Sequence, residues 1–192
     1  MQQVDAVRSY ITSSLQQKPF KLRVSHILKL NRVAIQGLNP FPGTFRVDEM
    51  EISKSRHHPP PPDAVPECVE EMCYYVNEHL GDKSPVHLSA YLLWRINWIH
   101  PFDDGNGRTA RAVSYAVLCI LLGYELPGTK TIPEQIADDK SPYYKALEVA
   151  DEAYAKKQLN VSQLENLIEN TLAAQLLKVH EKAIGKNLDR RL

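Results

Sequence analysis

A Gly-Asn-Gly turn between two strongly apolar stretches constrains this chain more than any other feature. Residues 88–99 and 112–122 both read as helices, the second apolar nearly all round and closed by Gly123. Pro101 must end the first, because its ring lacks a backbone donor and denies the preceding residue an easy helical conformation. His100 therefore stands at a helix end. Gly105 and Gly107 reach backbone angles closed to other residues and let a ligand approach bare N–H groups, and Asn106 tolerates the same turn. The next helix is expected to begin near Gly107, so its unpaired N–H groups and positive dipole end point into the loop, where an anion binds readily. At an exposed site that dipole is worth only about 0.3–1 kcal/mol, so charge has to be added. Arg108 and Arg111 share one helical face, and their planar forks suit phosphate oxygens. Asp104 offers one hard oxygen to Mg²⁺, which takes one or two carboxylates and leaves its other positions to water and phosphate. His100 is the titratable group suited to moving a proton near neutral pH, a contribution of roughly 100- to 10,000-fold in rate. Singly, each of these residues fits a plain helix-loop-helix corner. Together, at these spacings, they describe a phosphate site.

The stretch His100-Pro101-Phe102-Asp103-Asp104-Gly105-Asn106-Gly107-Arg108-Thr109-Ala110-Arg111 resembles the signature of the Fic family, HPFx(D/E)GNGRxxR, and departs from it nowhere. The resemblance implies a protein adenylyltransferase that moves AMP from ATP to a Ser, Thr or Tyr hydroxyl of a target protein. It implies His100 as the base that activates the hydroxyl, Phe102 as a core anchor and Asp104 as the Mg²⁺ ligand. Gly105, Asn106 and Gly107 would form the anion hole, and Arg108 and Arg111 would hold the outer phosphates. Asp103 falls on the variable position and takes no role. The intact Gly-Asn-Gly-Arg is unlike the kinase-like branch of the family. Other donors such as UTP or CDP-choline, removal of AMP, and nucleotide binding without turnover remain open alternatives.

The 192 residues suit a single domain over 1–192, with the resemblance covering a core of about 24–154 and an amphipathic helix at 161–184. A hydrophobic content of 43% can fill such a core. Twenty-three basic residues balance 23 acidic ones, so no bulk charge calls for nucleic acid or an anionic membrane. Cys68, Cys73 and Cys119 lack metal-ligand spacing and read as reduced thiols, hence a cytoplasmic protein. The first residues are no basic leader, and the longest apolar run, 112–122, falls short of the roughly 20 residues of a membrane span, so no membrane partner is expected.

Helices are expected at 4–15 and at 22–36, the latter with Val24, Ile27, Leu28 and Ile35 inward and Gly37 as terminator. Residues 44–52 then alternate, with Phe45, Val47 and Ile52 apolar, like a hairpin or edge strand. Such an edge can recruit an extended segment of another protein or simply pack on the bundle. The resemblance implies a flap in which Val47, Asp48, Glu49, Met50, Glu51 and Ile52 align the target over the site, with 53–58 adjoining. Arg56, His57 and His58 read as solvated loop. Residues 59–62 form a stiff polyproline spacer, and Asp63 caps a helix carrying Val65, Val69, Met72, Val76 and Leu80. Ser84-Pro85 opens the helix with His87, Tyr91, Trp94 and Trp98, whose tryptophans read as core. Ser141-Pro142 opens another with Tyr143, Tyr144 and Leu147. The resemblance implies that one of these tyrosines lies near the adenine; a packed tyrosine fits equally. A last helix at 161–183 lines up Leu164, Ile168, Leu172, Leu176 and Val179, completing the core or forming a homodimer, and a loose charged tail starts at Lys186. The expected fold is an all-α bundle with a short β-hairpin flap.

Fic enzymes are often restrained by a helix bearing Ser or Thr, three residues, Glu, then Gly or Asn. No segment matches. Ser162-Gln163-Leu164-Glu165-Asn166 is one residue short, which rotates its glutamate by about 100° on a helix of 3.6 residues per turn. Restraint is then expected from a separate antitoxin-like protein, or from a segment upstream of Met1.

Overall fold

A central pair of helices, α4 (Pro85–Ile99) and α5 (Asn106–Leu122), carries the loop between them, and the other helices are laid around this pair; the computed structural model describes residues 2–52 and 55–185. Ser84 caps α4 by accepting from the His87 N–H at 3.0 Å, with Pro85 at the first turn. The helix is buried on several faces, from Leu88 through Ile96 and at Ile99. Where α4 and α5 meet, small residues permit close approach: Ser89 and Ser114 each donate to the other's carbonyl, at 3.1 and 2.9 Å. Gly123 ends α5 at φ +87°, its N–H returning to Cys119 O at 3.0 Å.

On α5 lie α1 (Gln2–Gln16) and α2 (Val24–Ile35); on α4 lies α3 (Val65–Glu78). The long α8 (Ser162–Ala183) crosses α4 and also meets α6 (Ile132–Asp138) and α7 (Ser141–Ala155). Leu164 and Ile168 of α8 are in the core, whereas Leu176 and Leu177 are exposed. Glu165, the near miss for a restraining glutamate, bonds His87 at 2.6 Å and so ties α8 to α4. Sequence periodicity passes over α6, a seven-residue helix. Its signal is Thr131-Ile132-Pro133-Glu134, in which the Glu134 carboxylate accepts from the Thr131 N–H at 2.7 Å. Among the described residues no helix is long and apolar enough to cross a membrane. Cys68, Cys73 and Cys119 are free thiols, and burial pushes that of Cys73 up to about 12.

Two expectations need correction. No strand occurs among the described residues, so the β-hairpin at 44–52 is absent. The alternation is present, but no second segment runs alongside to complete a ladder. The segment's one backbone link to the glycine loop is Arg46 N–H to Pro101 O at 2.9 Å, and Phe45 packs on Phe102 with ring centroids 5.9 Å apart. It is a strap across that loop. Asp63 caps nothing: it sits inside a 3₁₀ turn, Pro62–Ala64, that leads directly into α3. Ser53, Lys54 and the charged tail from Lys186 lie outside the described residues.

One core feature escapes any hydrophobic pattern. Arg95 is 5% exposed; its Nη2 lies 3.8 Å from Glu71 Oε2, and its Nε and Nη1 have no hydrogen-bond partner among the described residues. Its guanidinium carbon instead lies 4.2 Å from the Trp98 ring centroid, 5.0 Å from Tyr154 and 5.5 Å from Trp94. Cation–π attraction offsets much of the desolvation cost, and the long stem fills space. Arg95→Met, which keeps the volume and removes the buried charge, should therefore stay within about 1.5 kcal/mol of the parent in urea unfolding. Arg95→Ala should cost about 2–4 kcal/mol through the cavity it leaves.

Candidate active site

The site is assembled where α4 ends and α5 begins. α4 stops at Ile99, and His100 takes its C-cap at φ +50°, ψ +59°, a left-handed conformation that costs a non-glycine residue about 1–2 kcal/mol. Its N–H still bonds Ile96 O at 2.9 Å, and its carbonyl accepts from Arg46 Nε at 2.8 Å. Nδ1 faces the Asn97 carbonyl at 3.3 Å, a contact that favours the tautomer protonated there and leaves Nε2 with its lone pair. Burial pushes the imidazole down to about 4; the Asn97 carbonyl opposes the shift, and the positive charge of Arg46 and the His57 ring reinforce it. The ring is therefore neutral at physiological pH. The unfolded chain protonates this histidine below about 6.5, so between there and about 4 it holds a proton that the folded chain does not, and stability declines as pH falls through that window. A histidine NMR titration should find the His100 ring still neutral at pH 5.5.

The loop after His100 closes on itself. Asn106 accepts from the Phe102 N–H at 2.9 Å and donates to the Phe102 carbonyl at 2.6 Å, so its side chain builds the turn. Gly105 sits at φ +80°, and α5 begins at Asn106, one residue earlier than expected. The first intrahelical bond is Thr109 N–H to Gly105 O at 2.8 Å. The N–H groups of Asn106, Gly107 and Arg108 precede it and bond nothing among the described residues, leaving three donors at a helix start.

The two arginines take different positions. Arg108 is engaged: Nη2 pairs with Asp104 Oδ2 at 2.8 Å, and Nη1 donates to Ala34 O at 3.0 Å, bracing the end of α2. Arg111 forms no ion pair or side-chain hydrogen bond among the described residues, and its Nη1 lies 3.4 Å from where a Cβ on Gly107 would stand. Asp104 Oδ1 accepts the Gly105 N–H at 2.6 Å, and its side chain is 48% exposed. Among the described residues no cluster of three metal-ligating side chains occurs. A divalent ion would find one half-open carboxylate here, which suits Mg²⁺ completing its shell with phosphate oxygens and water.

Three residues essential to this geometry escape sequence reasoning. Asn31, fully buried on the inward face of α2, donates to Asp104 O and to Thr109 Oγ1, both at 3.1 Å, and accepts from the Gly43 N–H at 2.9 Å. A polar residue between Ile27 and Ile35 on an apolar stripe was the available signal. Asn97 donates to Tyr143 OH at 2.6 Å, with its Oδ1 near Gly107. Arg46 gives no local signal at all. His57, expected in solvated loop, is half-buried: its Nε2 donates to Trp98 O at 2.7 Å and its ring packs on Trp98. Tyr143 requires correction too. It is 1% exposed with its hydroxyl spent on Asn97, so it presents no face to an adenine, whereas Tyr144 beside it is 53% exposed. Of the strap residues, Val47, Asp48, Glu49 and Glu51 are exposed and Met50 and Ile52 half-buried.

Against the outer side of Arg108 and Arg111 opens a cavity of about 390 Å³ between α1, α5 and α6. Its walls are mostly apolar, with Val4, Val7, Tyr115 and Leu126, and the Arg8–Glu125 ion pair (2.8 Å) lies at its edge.

An all-α bundle with a glycine loop and an unpaired helix start defines the class, and comparison with known proteins supplies the family. The model of the Fic/DOC family matches residues 21–118. Proteins called protein adenylyltransferase Fic from Drosophila persimilis and Drosophila melanogaster are each 32% identical over 151 residues, or 78% of this chain, covering 28% and 29% of their own lengths. A Fic domain containing signaling protein from Bacteroides thetaiotaomicron superposes with a TM-score of 0.76 at 23% identity, over 98% of this chain and 74% of that one. Fic-1 (residues 134–508) from C. elegans gives 0.75 at 20% identity, over 97% and 52%. The chain belongs to the Fic/DOC family. It spans under a third of the length of the curated relatives it matches.

Proposed function

We propose that this chain transfers AMP from ATP to a hydroxyl of a target protein. The observation that carries the proposal is the start of α5: three N–H groups behind a left-handed Gly105 and the Arg111 guanidinium above Gly107, none of them bonded among the described residues, with a neutral imidazole closing the preceding helix. The names of the relatives agree with it. The N–H groups of 106–108 receive phosphate oxygens at the positive end of the helix, and Arg111 neutralises the outer phosphates. Arg108 would reach phosphate only by sharing its fork with Asp104. Asp104 would hold Mg²⁺, which when bound neutralises charge on the phosphates. His100 Nε2 takes the proton of a Ser, Thr or Tyr hydroxyl; its oxygen bonds the α-phosphorus as the bond to the bridging oxygen breaks and pyrophosphate leaves. The proton then passes from the imidazole to solvent.

Targets would lie along the strap at 47–52, where the Asp48 and Ile52 carbonyls are taken by Arg46 Nη1 and the Ser55 N–H and the other backbone groups can pair with an extended segment. Tyr144 is the candidate for adenine stacking. An acidic segment of a separate inhibitory protein would suit the cavity beside Arg108 and Arg111, where apolar walls meet an unpaired guanidinium. The test is mass spectrometry of a lysate treated with Mg·ATP and either the parent or His100→Ala. AMP on a hydroxyl residue only in the parent-treated sample supports the proposal; equal modification by both proteins contradicts it. Labelled UTP and CDP-choline in parallel decide the donor.

A further inference from the structure

The strap and the His100 turn are joined through one side chain. Arg46 is 2% exposed. Its Nε donates to His100 O at 2.8 Å, Nη1 to Asp48 O at 3.0 Å and Nη2 to Pro60 O, while its backbone N–H donates to Pro101 O at 2.9 Å. Every guanidinium nitrogen thus ends on a backbone carbonyl, and no carboxylate pairs with it among the described residues. Burial opposes this cation, the carboxylates of Glu49 and Asp103 offset it only in part and from beyond contact, and an apolar residue would fill the same space more cheaply. The fork geometry is what the position uses. Two of the four bonds hold the consecutive carbonyls of His100 and Pro101, where the chain passes through an unfavourable left-handed residue; the other two hold the strap at Asp48 and the polyproline spacer at Pro60.

We infer that Arg46 is a positioning residue that locks His100 in its left-handed turn, aims the imidazole, and keys the target-docking strap to that base through the same guanidinium. This rests on the proposed AMP transfer, but its grip on His100 can be read without any transfer. A lysine could satisfy one of the three side-chain contacts and a methionine none.

The test compares the parent with Arg46→Lys and Arg46→Met in three measurements: histidine NMR titration, with the His100 signal assigned from its absence in His100→Ala; kcat and KM for ATP; and urea unfolding. The charged or titratable groups acting on His100 are Arg46 and His57. Burial is the main cause of the low His100 midpoint, so removing the Arg46 charge should raise that midpoint only part of the way in Arg46→Met, whereas Arg46→Lys keeps it low. Misplacing the base should lower kcat about 100-fold in Arg46→Met and at least about tenfold in Arg46→Lys, with KM for ATP within about threefold of the parent. If Arg46→Met does not fold, Arg46→Lys alone carries the test. An unchanged His100 titration in Arg46→Met, or parent-level kcat in Arg46→Lys, overturns the assignment. So does a kcat loss matched by a proportional rise in KM. If the parent itself transfers nothing, the AMP-transfer reading fails, and the NMR comparison still decides whether Arg46 governs His100.

Discussion

Gly105→Ala should destabilise the chain by about 3 kcal/mol and abolish detectable transfer with it. Two penalties combine. Gly105 sits at φ +80°, which costs alanine about 1 kcal/mol or more. An added Cβ would also lie 2.4 Å from Ile35 Cγ2 and 3.2 Å from Asn31 Nδ2. Ile35 is 1% exposed and Asn31 fully buried, so neither can yield without disturbing the core or the bonds that hold the loop, and overpacking of this kind costs roughly 1–3 kcal/mol. Gly37→Ala separates the terms: φ is +79° there, but nothing lies within 4 Å, so only the backbone penalty applies. Urea unfolding of the two variants should differ by about 2 kcal/mol. Equal midpoints would mean that α2 does not buttress the loop as described.

His100→Ala should lower kcat by roughly 100- to 10,000-fold, the usual contribution of a positioned general base, while leaving KM for ATP nearly unchanged. Under the proposed transfer the imidazole would act on the attacking hydroxyl and the phosphate contacts would come from the start of α5 and Arg111, so ATP should bind the variant about as well as the parent. Nδ1 makes one long contact to Asn97 O, and the backbone bonds to Ile96 and Arg46 do not need the ring. The variant should therefore unfold within about 1 kcal/mol of the parent. A large loss of ATP binding would place the ring against the nucleotide instead.

The helices were legible wherever apolar periodicity and a terminator coincided, as in α2 with Gly37 and α5 with Gly123. The end of α4 was legible because Pro101 excludes alternatives. The motif from 100 to 111 pointed to the turn between α4 and α5 as the candidate site, since no local economy explains its residue types at those spacings. The tertiary division of labour was not legible. Nothing near Arg108 announces that Ala34 O and Asp104 will occupy its fork, and nothing near Arg111 announces that its own will find no partner among the described residues. Tyr143 and Tyr144 are adjacent and chemically alike, yet the packing of α7 buries one and exposes the other. The strap alternates as a strand would, but a ladder needs a partner, and partners lie outside the window in which alternation is read. Arg46 was invisible for the same reason: all of its side-chain bonds except that to Asp48 reach residues at least 14 positions away.

The most direct measurement uses ATP labelled at either the α- or the γ-phosphate, incubated with the protein and a cell lysate, the label then being counted on protein. Transfer of the α-label alone, lost when His100 is replaced by alanine, is the expected result. Label arriving from the γ-phosphate, or α-label deposited at the parent rate by the His100→Ala protein, would contradict the account.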